Sequence, residues 1–203
     1  MARRYCAGAL AALLSTTPVM AEPLRLCAIT AIDGSSVQVL RAGQDPGAKV
    51  GYRIFDADRI VTGSETRITI ACDDGMRVII AGGTEIDLGT LTGASATEGY
   101  AARMLRGLAA FILPLVGERR FEVRTPSAVA SVRSTEWLVE VKDGATAVFV
   151  REGAVAVLAA QGSGTLEPGE GIDVTASGEA GPVKTWGEGR KIELSKRLGP
   201  MWE

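Results

Sequence analysis

Apolar and polar residues alternate along much of this chain. The alternation is plain in Ser36-Val-Gln-Val39, Arg67-Ile-Thr-Ile70, Arg77-Val-Ile-Ile80, Thr146 to Val150 and Ala154-Val-Ala-Val157. A two-residue period places successive side chains on opposite faces, so each run predicts a short strand with one buried side. Turn signals fall between the runs at Asp33-Gly34, Asp73-Asp-Gly75, Gly82-Gly83, Asp143-Gly144, Glu152-Gly153 and Pro168-Gly169. Asp74-Gly75 and Asp143-Gly144 are the strongest hairpin candidates, because a type I′ turn needs positive φ at both central residues. The spacing predicts an all-β fold, an antiparallel β-sandwich.

Two segments depart from the alternation. Residues 100–116 carry the apolar stretch Leu108 to Val116, interrupted by Gly107 and ended by Pro114. They read as a non-β insertion, either a short helix or two buried strands around Gly107, and the stretch is too short to cross a bilayer. The tail, residues 181–203, contains Lys191-Ile-Glu-Leu-Ser-Lys-Arg-Leu198. That pattern predicts a short amphipathic helix docked on the sandwich, with Trp186 and Trp202 as its anchors.

The strand Thr135 to Val141 places Thr135, Trp137, Val139 and Val141 on one side, and Glu136 and Glu140 on the other. The two carboxylates invite an acid-base role, but no neighbouring group in the sequence would separate their pKa values. A solvated face is the expectation.

The first twenty-one residues have the form of an export signal: Arg3 and Arg4, the apolar run Ala7 to Leu14, Pro18, and a small-x-small site ending at Ala21. A β domain over 22–180 follows, and no stable membrane anchor is expected after cleavage. Cys27 is preceded by Leu26 and Arg25, which does not suit lipidation. Cys6 leaves with the leader, so Cys27 and Cys72 form an even pair in an oxidising compartment and are expected to join. Beyond the leader, 20 basic residues stand against 24 acidic ones. That balance gives no basic face for nucleic acid.

The chain contains no histidine, which removes Ser-His-Asp and Cys-His machinery. Two thiols make no zinc site, and Asp73-Asp74-Gly75 falls short of a calcium loop. No metal, no cofactor and no catalytic residue are expected. Aromatic residues are 5% of the chain, too few for broad sugar platforms.

From about Ile29 to Val174 the sequence resembles the FecR domain, a periplasmic β-rich domain of iron-transport regulators and of stand-alone secreted proteins. The resemblance rests on Ala57-Asp58-Arg59-Ile60-Val61-Thr62-Gly63, the turn Asp74-Gly75, Thr125-Pro126, Val132-Arg133-Ser134-Thr135, Asp143-Gly144 and Glu152-Gly153-Ala154-Val155. Ala57 and Ser134 stand where the family usually has glycine. The resemblance implies a jelly-roll-like sandwich and a protein-interaction or signal-sensing role in the cell envelope, with an envelope protein as partner. A carbohydrate- or peptidoglycan-binding module is the alternative. No segment here resembles the cytoplasmic anti-sigma region of the regulatory members, so direct control of a sigma factor is not implied.

Physically, Asp58, Thr62, Gly63, Asp74, Gly75, Thr125, Pro126, Thr135 and Gly153 read as makers of turns and strand entrances. Arg133 leads into an apolar strand and needs an acceptor, with Asp58 or Asp74 as the expected carboxylate.

Overall fold

Three strands are long enough to serve two layers: β8 (Tyr100–Ile112), β10 (Ala128–Lys142) and β11 (Ala145–Ala159). The computed structural model describes residues 26–89, 100–114 and 120–202, without the side chains of Tyr100, Arg133 and Ser134. The expected export leader lies outside the described residues.

Around the early half of β8 and β10 and the late half of β11, one layer is completed by β2 (Val37–Leu40), β4 (Arg59–Thr62), β7 (Glu85–Asp87), β9 (Phe121–Arg124) and β12 (Ser163–Leu166). Around the opposite halves, the other is completed by β1 (Cys27–Asp33), β3 (Arg53–Ile54), β5 (Arg67–Cys72), β6 (Arg77–Ile80), β13 (Glu170–Val174) and β14 (Lys184–Thr185). Hydrogen bonds run through all fourteen strands as one continuous, barrel-like sheet rather than two separate ones. Pairing is antiparallel except between β8 and β9.

The long strands turn from one layer to the other where their backbone is irregular. β8 bends at Gly107, with φ of 97°, and β11 at Gly153, with φ of 83°. β10 changes register between Arg133 and Trp137. The Val132-Arg-Ser-Thr135 and Glu152-Gly153 motifs are therefore corners, facing each other on paired strands. At Gly107, Thr84 closes over the backbone: its hydroxyl accepts from the Leu108 N–H at 3.0 Å and donates to the Leu108 carbonyl at 3.1 Å. A Cβ at Gly107 would collide with Thr84.

Residues 100–112 of the 100–116 segment are this strand, which corrects the expected non-β insertion and its helical form and agrees with the alternative of buried strands around Gly107. Leu108, Ala109, Ala110, Phe111 and Ile112 are all buried because both faces of late β8 are covered. A strand buried on both sides loses its polar alternation and reads as a continuous apolar run. Ala109 and Phe111 join the core between the layers, where Phe111 stacks on Trp137 with ring centroids 5.1 Å apart. Leu108, Ala110 and Ile112 join a second cluster on the outer side.

The tail covers that outer face. The helix α1 (Glu188–Leu198) buries Leu194 and Leu198, and Trp186 and Trp202 flank it in the same cluster with Ile79, Leu138 and Phe149. An isolated helix of this length is marginal in water, so its order comes from docking. Burying each leucine contributes roughly 1.5–3 kcal/mol at most.

Local turn chemistry matches the pattern. Asp143 and Gly144 take φ of 51° and 79° in the two-residue link from β10 to β11. Cys27 and Cys72 are paired across β1 and β5 and joined by a disulfide. At a sequence separation of 45, closing that loop stabilises the fold by about 4 kcal/mol in the chain-entropy picture.

Ala57 holds φ of 64°, a left-handed conformation at a position where the resemblance leads one to expect glycine. A Cβ there costs about 1 kcal/mol or more, partly offset by the freedom glycine would add to the unfolded chain. Ala57→Gly is therefore expected to raise unfolding free energy by about 0.5–1 kcal/mol, measured by urea titration, whereas a loss would show that the Ala57 methyl packs usefully.

Candidate functional site

Asp58, the first charged residue of the first motif, is fully buried. A lone buried carboxylate would be strongly destabilising, and three donors meet this one. Arg41 donates through Nε to Oδ1 and through Nη2 to Oδ2, both at 2.8 Å, and the Phe55 N–H donates to Oδ2 at 2.9 Å. The Asp58 backbone extends the tie, its carbonyl accepting from the Leu88 N–H at 2.9 Å. Arg41 also lies over the Phe55 ring at 4.1 Å. Its guanidinium is held above its usual basicity, first by the hydrogen bond to Asp58. The arrangement pins the long connection from β2 to β4.

The sequence points to Asp58 or Asp74 as the acceptor for Arg133. Both Asp58 oxygens are committed to Arg41 and Phe55, while the Arg133 side chain lies outside the described residues. Arg41 gave no signal in the sequence, since it sits in an irregular connection 17 residues away.

The other motif residues are spread over the fold. Thr62 is buried, donates to the Ala81 carbonyl at 2.7 Å and accepts from the Thr84 N–H at 3.0 Å. Beside it a Cβ on Gly63 would stand 2.7 Å from that of Ser36. The Asp74 carboxylate accepts from the Met76 N–H at 3.0 Å, and Gly75 has φ of 91°. Thr125 binds both backbone groups of Ala128, the N–H at 2.9 Å and the carbonyl at 3.0 Å, across the Pro126 turn. Its hydroxyl lies 2.7 Å from that of Thr146, which lies 2.7 Å from Ser127. Thr135 donates to the Ala154 carbonyl at 3.3 Å, across the corner beside Gly153. Among the described residues, these positions sit at separate turns, strand entrances and corners.

Two clefts flank α1, and several of the charges lining them are paired. The larger, about 680 Å³, runs along the 142–147 turn, β13 and residues 179–184. In it Asp173 accepts from Arg190 at 2.7 and 3.1 Å and pairs with Lys184 at 3.3 Å. The hydrogen bond from Arg190 is the first cause holding the Asp173 carboxyl below its ordinary value near 3.8. The smaller cleft, about 560 Å³, is lined by Phe149, Arg151, Ile192, Lys196 and Trp202. Arg151 bonds Glu136 at 2.7 Å, donates to the Trp202 carbonyl and lies 4.4 Å from the Trp202 ring centroid.

Glu136 and Glu140 are thus partly covered rather than freely solvated. The first is held by Arg151 and the second by Arg197 of α1. Arg67, paired with Asp33, reaches the Arg197 carbonyl at the helix end. The clefts are edges of an ionic clamp that holds the tail. Among the described residues, no three His, Cys, Asp or Glu side chains are grouped to hold a metal ion, and no helix is long and apolar enough to cross a membrane.

The family described as FecR protein matches residues 58–156. No curated protein gives a significant match. Two crystal structures of a candidate anti-sigma factor from Parabacteroides distasonis ATCC 8503 share the fold. The one at 1.65 Å is 26% identical with a TM-score of 0.55, over 63% of this chain and 59% of that one. The one at 2.50 Å is 27% identical with a TM-score of 0.53, over 62% and 57%. The match spans under two thirds of those chains.

Since Asp173 titrates low in the folded state, its contribution to tail docking is present above pH 3.8 and lost as pH falls through the lower folded value. With the partners a third or more exposed, that contribution is of order 1 kcal/mol or less. Thermal melts of Asp173→Asn should trail the parent at pH 6 and converge with it as pH falls below the lowered folded value; a constant gap would assign the loss to packing.

Proposed function

We propose, taking residues 58–156 as a FecR-family domain, that the chain is an exported, non-enzymatic interaction or signal-sensing module of the periplasm that contacts an envelope protein. The observation that carries this reading is the inward commitment of the motif. The side chains of Asp58, Thr62, Thr125 and Thr135 all hydrogen-bond within the fold. Such residues fix a shape and leave recognition to surfaces.

The solved relatives, described as a candidate anti-sigma factor, support a signalling role of this kind. The Cys27–Cys72 disulfide supports an oxidising compartment. The two-layered arrangement supports the jelly-roll-like description, with the corners of β8, β10 and β11 linking its halves. A sugar-binding role is disfavoured because Trp137, Trp186 and Trp202 are all buried.

Cell fractionation with thiol trapping and formaldehyde crosslinking tests the reading on the full chain. The expected result is a processed, oxidised protein in the envelope fraction that crosslinks to a discrete envelope protein. Reduced thiols in the cytoplasm, or turnover of a glycan substrate, would overturn it.

A further inference from the structure

The two outer faces of the sheet differ. The layer containing β5, β6 and β13 is covered by the chain's own tail, whereas no described residue covers the outer face of the layer containing β4, β7 and β9. Strand register sets a transverse row on that face: Leu40, Arg59, Asp87, Arg103, Arg124, Val129, Leu158 and Ser163 on eight neighbouring strands. The residues beside them, Ile60, Ile86, Met104, Val123 and Val157, point into the core, so the row faces out.

Arg103 and Arg124 are direct neighbours across the parallel β8–β9 pairing. Like charges in that position are destabilising unless a counter-charge sits between them. The nearby carboxylates are already engaged. Asp87 is gripped by Arg59 at 2.5 and 3.1 Å, Glu85 by Arg106 at 3.2 Å, and Glu122 by Arg124 at 3.3 Å. No described carboxylate pairs with Arg103, which lines a cleft of about 550 Å³ with Leu40, Arg59 and Asp87. Beyond Arg124 the row turns apolar, with half-buried Val129 and Leu158, 63% exposed.

We propose that this face docks an extended segment of a partner protein that carries carboxylates followed by an apolar side chain, the carboxylates seating on Arg103 and Arg124 and the apolar residue on Leu158. The proposal rests on the interaction-module reading and names its surface. The spacing follows from sheet geometry. From Arg124 to Leu158 is two strand intervals, roughly 10 Å, which an extended chain covers in about three residues. A second copy of this chain is a poor fit, because it would bring the same arginine excess against itself.

Fluorescence anisotropy of the full chain with a labelled peptide tests it, the peptide bearing two glutamates, a two-residue polar spacer, then leucine and valine. Arg103→Gln/Arg124→Gln should weaken binding at least tenfold and Leu158→Ser several-fold, with Lys142→Gln neutral. Raising salt from about 0.05 M to about 0.5 M should weaken the parent and not the double variant. The double variant should melt no lower than the parent, which separates lost recognition from lost folding. Absent binding, binding indifferent to the arginines, or an arginine-dependent dimer in sedimentation would overturn the proposal. If an envelope protein still crosslinks equally to parent and double variant, the surface assignment fails while the interaction reading stands.

Discussion

A carboxylate with no access to water sets the terms for this fold. Asp58 is worth having only if Arg41 and the Phe55 amide arrive together, and they arrive only when the β2–β4 connection closes as observed. A pair with its carboxylate buried and its guanidinium 40% exposed is a weak source of net stability, but losing the guanidinium is severe because the buried charge is left without its counter-charge. The pair therefore selects one path for the connection over many. The left-handed Ala57 beside it is a strained residue held in place by the same arrangement.

The second constraint is geometric. β8, β10 and β11 each have to leave one layer and enter the other, and all three do so at an irregularity: Gly107, the 133–136 register change and Gly153. Two of those corners are motif positions. Corners, turns and the buried carboxylate account for most of the motif residues, and the outer faces hold few of them. One face is sealed by α1 through apolar packing and arginine pairs, and on the other, which no described residue covers, Arg103 and Arg124 are neighbours.

Legibility in the sequence followed burial. Strands with one wet face, such as Arg67 to Ile70 and Arg77 to Ile80, show their alternation directly, and Asp143-Gly144 shows its turn. Late β8 was misread as non-β because its outer face lies under the tail, and a covered strand carries no polar alternation. The tail helix and its Trp186 and Trp202 anchors were visible as an amphipathic stretch between aromatics. Arg41 was invisible, since ion pairs between irregular segments have no period. The Arg103–Arg124 adjacency was hidden too, because parallel pairing of β8 with β9 cannot be deduced from either strand alone.

A double-mutant cycle on Asp58→Asn and Arg41→Met, followed by urea unfolding, bears most directly on the claim that the motif serves architecture. Each single substitution is expected to cost about 3 kcal/mol or more, and the double variant far less than their sum, with any folded variant still crosslinking the proposed envelope partner. Additive, small losses in stability combined with loss of the partner would contradict the account and move Asp58 into a recognition site.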